Sequence, residues 1–190
     1  IAQGMDDFIE DTNAECLIGY FQNSLAINAV KQVGLELKSY SHMVQKYKEI
    51  AKIDRPLVVH YRLTDYAQED SFGIPSSSYY LNALKLMWSK EIYRKIWVFS
   101  DDIDNARKLF PIEFINEASF ISEPTASSAE ILEIMRLGFG FVIANSSYSW
   151  WAASLSRNTD VKVVCPTPWF SGRDNPVRII PEGWVKLDKS

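Results

Sequence analysis

The hydrophobic residues of positions 1–55 recur at helical spacing. Those in 24–38 lie three or four positions apart, which predicts a helix, and similar spacing in 41–54 predicts a second one. The pair Arg55-Pro56 ends the second helix, because the residue before a proline disfavours helical conformation. We therefore expect a short helical segment at the N-terminus. Its apolar positions are Leu25, Ala29, Val30 and Val33, then Met43, Val44, Tyr47, Ile50 and Ala51.

From Pro56 onward, short apolar runs alternate with helical patterns. The runs are four or five residues long, as expected of buried parallel strands. Strands are predicted at 57–61, 96–99, 118–122, 141–144 and 161–165. Helices are predicted at 78–93, 101–110, 127–138 and 147–156, the third opening with the capping-box pair Ser127 and Glu130. This order gives a parallel sheet with helices on both faces. The sequence therefore predicts an α/β chain in which 56–190 form a Rossmann-like domain.

The composition excludes several classes of protein. With 47% hydrophobic residues among 190 and a net charge of −4, the chain has enough apolar material for a core and is not typical of nucleic-acid binding. Cys16 and Cys165 are too few for a disulfide framework, and we interpret both as buried thiols. No apolar run is long enough to span a bilayer. We expect a cytoplasmic protein, free or peripheral to a bacterial membrane.

Three polar turns follow predicted strands, at 60–66, 100–102 and 145–151. Ligands of parallel α/β sheets bind beyond the carboxyl ends of the strands, so we expect the three turns to face one cleft. In the third turn, Asn145, Ser146 and Ser147 lead directly into a helix. Free N–H groups and hydroxyls at a helix N-terminus can bind a phosphate. Taken alone, Ser146 or Ser147 is more typical of a plain helix cap.

The first turn carries a candidate anion ligand, Arg62, at the start of a long polar loop. Its guanidinium suits bidentate contact with phosphate, and Asp65 is placed to hold it. A surface ion pair between these two residues is the simpler alternative. His60 precedes them and is, taken alone, more typical of a structural residue at a strand end.

The second turn carries two carboxylates, Asp101 and Asp102. One of them would cap the following helix, which leaves the other to accept hydrogen bonds from a base or a ribose. Asp102 and Asp104 also form an acidic pair of the kind that holds a divalent metal in some sugar-nucleotide transferases. That alternative is less favoured, because residues two apart on a helix do not share a face.

Together the turns resemble the motifs of the α-1,2-fucosyltransferase family. Positions 60–66, His-Tyr-Arg-Leu-Thr-Asp-Tyr, are similar to that family's His-x-Arg-Arg-Gly-Asp-Tyr motif, with Leu63 and Thr64 in place of the second arginine and the glycine. Positions 98–102 match a second block, and 143–153 match the third almost letter for letter. Gly-Tyr-Phe-Gln at 19–22 and the Pro-x-x-Trp-Phe pattern at 166–170 also have counterparts.

The resemblance implies a fold, a reaction and a set of ligand contacts. The fold would be the donor-binding half of a GT-B enzyme. The reaction would be an inverting, metal-free transfer of fucose from GDP-fucose to a galactoside-type glycan, in α-1,2 linkage. Arg62 would hold the pyrophosphate, and His60 with Asp101 or Asp102 would contact the nucleoside. The hydroxyls and N–H groups of Asn145, Ser146, Ser147 and Ser149 would complete the nucleotide-sugar site.

Other parts of the mechanism and the domain organisation are less specified. A general base is needed, and Asp65, Glu69 and Asp70 lie near the first motif; we take Asp65, with Arg62, as the catalytic candidate.

Family members carry a Gly-rich block and an acceptor domain upstream, so we interpret 1–55 as a link to a missing domain and expect poor transfer. A non-catalytic nucleotide-binding module and a metal-dependent transferase remain alternatives. Whether the chain forms a homo-oligomer stays open.

Overall fold

The structure is a computed structural model that describes residues 2–4, 17–34, 40–66, 70–172, 174–175 and 178–190. The described residues form a two-stranded parallel pair, a six-stranded sheet and six α-helices. The strands are β1 (Ala2–Gly4), β2 (Leu17–Gly19), β3 (Leu57–Tyr61), β4 (Ile96–Ser100), β5 (Ala118–Phe120), β6 (Gly140–Val142), β7 (Lys162–Thr167) and β8 (Val185–Asp188). The helices are α1 (Ser24–Val33), α2 (His42–Asp54), α3 (Ser77–Met87), α4 (Ile103–Leu109), α5 (Ser128–Met135) and α6 (Ser147–Ser154).

All strands of the large sheet are parallel, in the order β5-β4-β3-β6-β7-β8. Counted from β3, this is the Rossmann order 3-2-1-4-5-6. Residues of β3 lie beside β4 in register, Leu57 opposite Ile96, and beside β6, Leu57 opposite Gly140. The predicted parallel α/β architecture is therefore confirmed.

Helices cover both faces of the sheet. Alternate strand residues point to opposite sides, so apolar side chains lie on each face and pack against helices there. Val58 and Trp97 pack on one face with residues of α1, α2, α5 and α6. Their neighbours Val59 and Val98 pack on the other face with residues of α3 and α4. The chain thus leaves β3 on one face and β6 on the other, which creates a crevice between the ends of these two strands.

Several predicted boundaries differ from the structure. The helix predicted at 78–93 ends at Met87, because Trp88 takes an extended conformation with φ −70° and ψ 121°. Helix α1 ends at Val33, where Gly34 adopts a left-handed φ of 73°, a conformation that glycine tolerates best. The remainder of that prediction, 35–39, lies outside the described residues.

Two strand pairs were not anticipated. Positions 1–55 are not wholly helical, since β1 and β2 pair in parallel. Strand β8 lies at the sheet edge and alternates half-buried with exposed residues, so it lacks the continuous apolar run of the buried strands.

The capping box of Ser127 and Glu130 is present as predicted. Cys165 is buried, as expected, and Cys16 lies outside the described residues. Among the helices that the structure describes, none has the length and apolar character to cross a bilayer.

Candidate functional site

A cleft of about 770 Å³ opens at the carboxyl ends of β3, β4 and β6. Its volume is within the range of small-molecule sites, and it lies at the point where the chain changes faces of the sheet. All three sequence-predicted turns reach it. The residues that they contribute to its wall are His60, Arg62, Asp65, Tyr66, Ser100, Asp101, Asn145, Ser146, Ser147 and Tyr148.

Arg62 is held in the cleft wall by a bidentate ion pair with Asp65. Nε donates to Oδ1 and Nη2 donates to Oδ2, both at 2.8 Å. The Asp101 carboxylate lies 3.5 Å from Nε, and the guanidinium carbon stands 5.9 Å from the centre of the Tyr66 ring. Nη1 donates to no described residue. The Arg62 side chain is 31% exposed, so this fixed cation remains open to a ligand in the cleft.

Asp101 anchors the backbone of the turn that carries Arg62. Its Oδ1 accepts from the N–H of Leu63 at 2.8 Å, and its Oδ2 accepts from the N–H and hydroxyl of Thr64 at 3.0 and 2.5 Å. Burial raises the pKa of Asp101, but these hydrogen bonds and the Arg62 charge outweigh it and leave the pKa below its usual value. Asp101 therefore connects β4 to the first motif.

Helix α6 presents its N-terminus to the same cleft. Ser146 occupies the cap position in an extended conformation, yet its side chain makes no capping hydrogen bond to the helix. Ser147, the first helical residue, is half-buried and also lines the cleft. Ser146 is thus not a plain side-chain cap, and the N-terminus of α6 borders the cleft, where first-turn N–H groups can bind an anion.

Two other residues of the third motif act within the protein. The Asn145 side-chain amide donates to the carbonyls of Phe72, Gly73 and Trp169 at 2.8 to 3.2 Å, which ties three segments together. Ser149 is fully buried, and its hydroxyl lies 3.3 Å from the Ser146 carbonyl. Ser149 is not part of the cleft wall.

His60 is buried beneath the cleft, with 3% of its surface exposed. Burial lowers its pKa to about 4, since Arg62 adds repulsion and the attraction of Asp101 compensates only in part. Its Nδ1 has no hydrogen-bond partner among the described residues, and its ring centre lies 6.1 Å from that of Tyr148. A neutral imidazole in the cleft wall adds polar nitrogens to this part of the site without bringing charge.

The acidic pair of the metal-dependent alternative lies outside this cleft. Asp102 caps α4, accepting from the Asn105 N–H at 3.1 Å and from its side-chain amide at 2.7 Å. Asp104 follows in the first turn of the helix. Neither residue belongs to the cleft wall, so the geometry does not favour Asp102 as a nucleoside contact. Of the base candidates, Asp70 is exposed and Glu69 lies outside the described residues.

Sequence reasoning assigned no role to two further residues of the wall. Gln22 is 2% exposed, and its side-chain nitrogen has no partner among the described residues. Gln22 belongs to the Gly-Tyr-Phe-Gln block at 19–22, but nothing in the sequence assigned it a role. Glu123 comes just after β5 and also lines the cleft. The rule that singled out the other strand ends would have found it, had the short strand been given equal weight.

Residues 17–187 match the model of the family described as Glycosyl transferase family 11. The chain belongs to glycosyl transferase family 11. The match confirms the resemblance carried by the motifs.

Two curated relatives come from Escherichia coli. The chain is 28% identical over 182 residues to a protein named alpha-1,2-colitosyltransferase, an alignment that covers 90% of this chain and 62% of the relative. It is also 28% identical over 191 residues to the O-antigen biosynthesis glycosyltransferase WbnK, with 92% and 61% covered. This family 11 chain thus spans about three fifths of their length.

A solved structure is also similar in part. The glycosyl transferase family 9 protein from Veillonella parvula aligns with a TM-score of 0.48 at 12% identity, over 85% of this chain and 47% of that protein.

Proposed function

We propose that this family 11 chain binds a guanosine diphosphate sugar and forms the donor-binding half of an inverting glycosyltransferase. The sugar would pass to a hydroxyl of a galactoside-type glycan acceptor, in α-1,2 linkage, without a metal ion. The observation that carries the proposal is that Arg62 and the N-terminus of α6 line one cleft at the sheet's crevice. The fold class supplies this crevice, and the family supplies the reaction class.

The proposed transfer reaction requires positive electrostatic potential where the diphosphate would bind. Cleavage of the bond between sugar and nucleotide builds negative charge on the leaving diphosphate and cationic character on the sugar carbon. A fixed guanidinium and helix N–H groups can stabilise that diphosphate, and one preorganised donor can lower the barrier by about 3–4 kcal/mol. Arg62 is preorganised by Asp65 and indirectly by Asp101.

The general base remains a separate question. Both oxygens of Asp65 accept hydrogen bonds from Arg62, so the carboxylate is already engaged by the guanidinium. We therefore propose that Asp65 positions Arg62, and that another group takes the proton of the acceptor hydroxyl.

The transferred sugar is proposed to be fucose or its close analogue. The motif resemblance favours fucose, whereas one relative is named as a colitosyltransferase. Leu63, which stands where the family has a second arginine, packs against the apolar face formed by α3 and α4 and is not part of the cleft wall. A change at this position therefore leaves the diphosphate end of the cleft built around Arg62.

Calorimetric titration of the chain with GDP, ADP and UDP tests the proposal. We expect GDP to bind, R62A to weaken GDP binding by at least about tenfold, and EDTA to have no effect. R94A is the matched control, because Arg94 is exposed and outside the cleft wall. Indifference to all three nucleotides would refute the donor assignment. Binding abolished by EDTA would favour the metal-dependent alternative, and unchanged binding in R62A would remove Arg62 from the site.

A further inference from the structure

The part of the cleft beside β4 and β5 combines several apolar side chains with the carboxylate of Glu123. Phe99 is the penultimate residue of β4, Ile103 begins α4, and Ile121, Pro124 and Ala126 follow β5, all in the cleft wall. Glu123 lies among them, half-buried. A wall of apolar side chains with a few polar groups among them is suited to a heterocyclic base, whose faces are apolar and whose edge carries donors and acceptors.

The Glu123 carboxylate is held in place but is not neutralised. The Tyr47 hydroxyl donates to Oε1 at 2.8 Å, and Tyr47 itself is fixed by an edge-on contact with Trp97 at 5.5 Å between ring centres. Within the described residues, Glu123 forms no ion pair and its Oε2 accepts no hydrogen bond. Each carboxylate oxygen has two acceptor sites, so Oε1 also retains one. Both oxygens therefore present free acceptor positions, two on Oε2 and one on Oε1, next to apolar side chains.

The position of Glu123 relative to Arg62 matches the length of a nucleoside. Arg62 follows β3, and Glu123 follows β5, two strands away in the sheet. Neighbouring strands lie about 4.8 Å apart, which places the two loops about 10 Å from each other along the sheet. A diphosphate at the ends of β3 and β6 would thus direct its nucleoside across β4 toward Glu123.

We propose that Glu123 recognises the base of the bound nucleotide and selects guanine. This inference rests on the proposed function. Guanine presents two adjacent donors on its pairing edge, N1–H and N2–H, which match the two oxygens of a carboxylate. Adenine and cytosine place an acceptor beside their donor, and uracil flanks its N–H with two carbonyls, so each would face a carboxylate with a repelling lone pair. Glu123 thereby takes the role that sequence reasoning gave to Asp101 or Asp102.

The test compares GDP with inosine diphosphate, which differs by loss of the N2 amino group. We expect the wild-type chain to bind GDP about tenfold more tightly than inosine diphosphate or ADP. E123Q should bind GDP about tenfold more weakly, and its preference for GDP over inosine diphosphate should fall to nearly none, because an amide offers one acceptor instead of two. E123D should keep part of the preference. E113Q is the matched control, since Glu113 is exposed and pairs with Lys85.

Each other result overturns the inference in a distinguishable way. If the wild type binds GDP and E123Q keeps the full preference over inosine diphosphate, Glu123 does not recognise the base, while the proposed function stands. If the wild type binds 2′-deoxy-GDP more weakly than GDP, whereas E123Q binds the two nucleotides equally well, the carboxylate contacts the ribose instead of the base. If the wild type binds no nucleotide, both proposals fail. Thermal unfolding of each variant separates these results from loss of the fold.

Discussion

The Arg62 guanidinium and the Asp65 carboxylate form a bidentate ion pair, joined by two hydrogen bonds of 2.8 Å. The pair lies three residues apart on the turn after β3, and Asp101 approaches it from the turn after β4. A bidentate pair fixes the plane of the guanidinium before a ligand arrives. A flexible arginine would instead lose conformational freedom when it binds the ligand. The arrangement predicts how each partner should respond to substitution.

Replacing the carboxylate tests whether Asp65 positions Arg62. D65N removes a negative charge from the cleft, which alone would strengthen the binding of an anion. We expect instead that GDP binds about tenfold more weakly, because the guanidinium loses its fixed orientation. Calorimetric titration measures the change. D70N is the control, since Asp70 is an exposed acid farther along the same loop; tighter GDP binding by D65N would contradict the positioning role.

The two serines of α6 should separate in their effects on affinity. Ser147 lines the cleft, so S147A should weaken GDP binding by about three- to tenfold through loss of one hydrogen bond to phosphate. Ser149 is fully buried beneath the helix start, so S149A should leave affinity unchanged. The same titration run on both variants decides this. Equal losses would show that the hydroxyl of Ser149 reaches the ligand after all.

His60 should make stability depend on pH above the range of ordinary carboxylates. Its native pKa of about 4 is below the value of about 6.5 in an unfolded chain. The unfolded chain therefore binds more protons between these values, so stability is full above pH 6.5 and falls as the pH drops toward 4, by up to about 1.4 kcal/mol per pH unit.

Substitution of each of the two histidines identifies the source of this slope. Urea unfolding between pH 6.5 and 5 should show a flatter dependence in H60N than in the wild type. H42N should retain the wild-type slope, because His42 is exposed at the start of α2. An unaltered slope in H60N would mean that the imidazole is not buried in neutral form.

Asp101 should stabilise the first motif through its three acceptor contacts. D101N keeps one acceptor oxygen and should lower the free energy of unfolding by about 1–2 kcal/mol at neutral pH. T64V should cost less, because the two backbone N–H groups still have their partner. The native pKa of Asp101 is below its usual value, so its contribution is full above about pH 4 and is lost as the pH falls further.

Urea midpoints for the wild type, D101N and T64V measure this contribution. The difference between the wild type and D101N should shrink in acid, where both forms lack the charge. A D101N chain as stable as the wild type at neutral pH would show that these hydrogen bonds do not hold the turn.

Much of the sheet could be predicted because its strands are buried on both faces. A run such as 57–61 is buried throughout and apolar except for His60, and no other regular element explains it as well. Strand β8 escaped prediction because one of its sides faces solvent, and helix α3 ended early because the conformation of Trp88 depends on its packing. These boundaries are set by neighbours that are distant in the chain.

The candidate site divides along a similar line. Sequence motifs located Arg62, Asp65 and the serines at the start of α6, since the residue types that bind phosphate follow strand ends. Sequence alone gave no means of telling that Asp101 faces inward to the backbone of Leu63 and Thr64. Nor did it indicate that Glu123 lines the cleft with only Oε1 bonded by a described residue, because that depends on which groups approach the carboxylate.

The order of apolar and polar residues determined that this chain forms a parallel α/β sheet with polar turns at the strand ends, and the motifs in those turns carry its resemblance to the family. Hydrophobic periodicity is local, so it is written directly into the sequence. Only the tertiary structure decided which polar side chains stay available to a ligand and which are consumed by the protein. A hydrogen bond depends on distance and direction between atoms, and these are fixed only when segments from β3, β4, β5 and β6 come together.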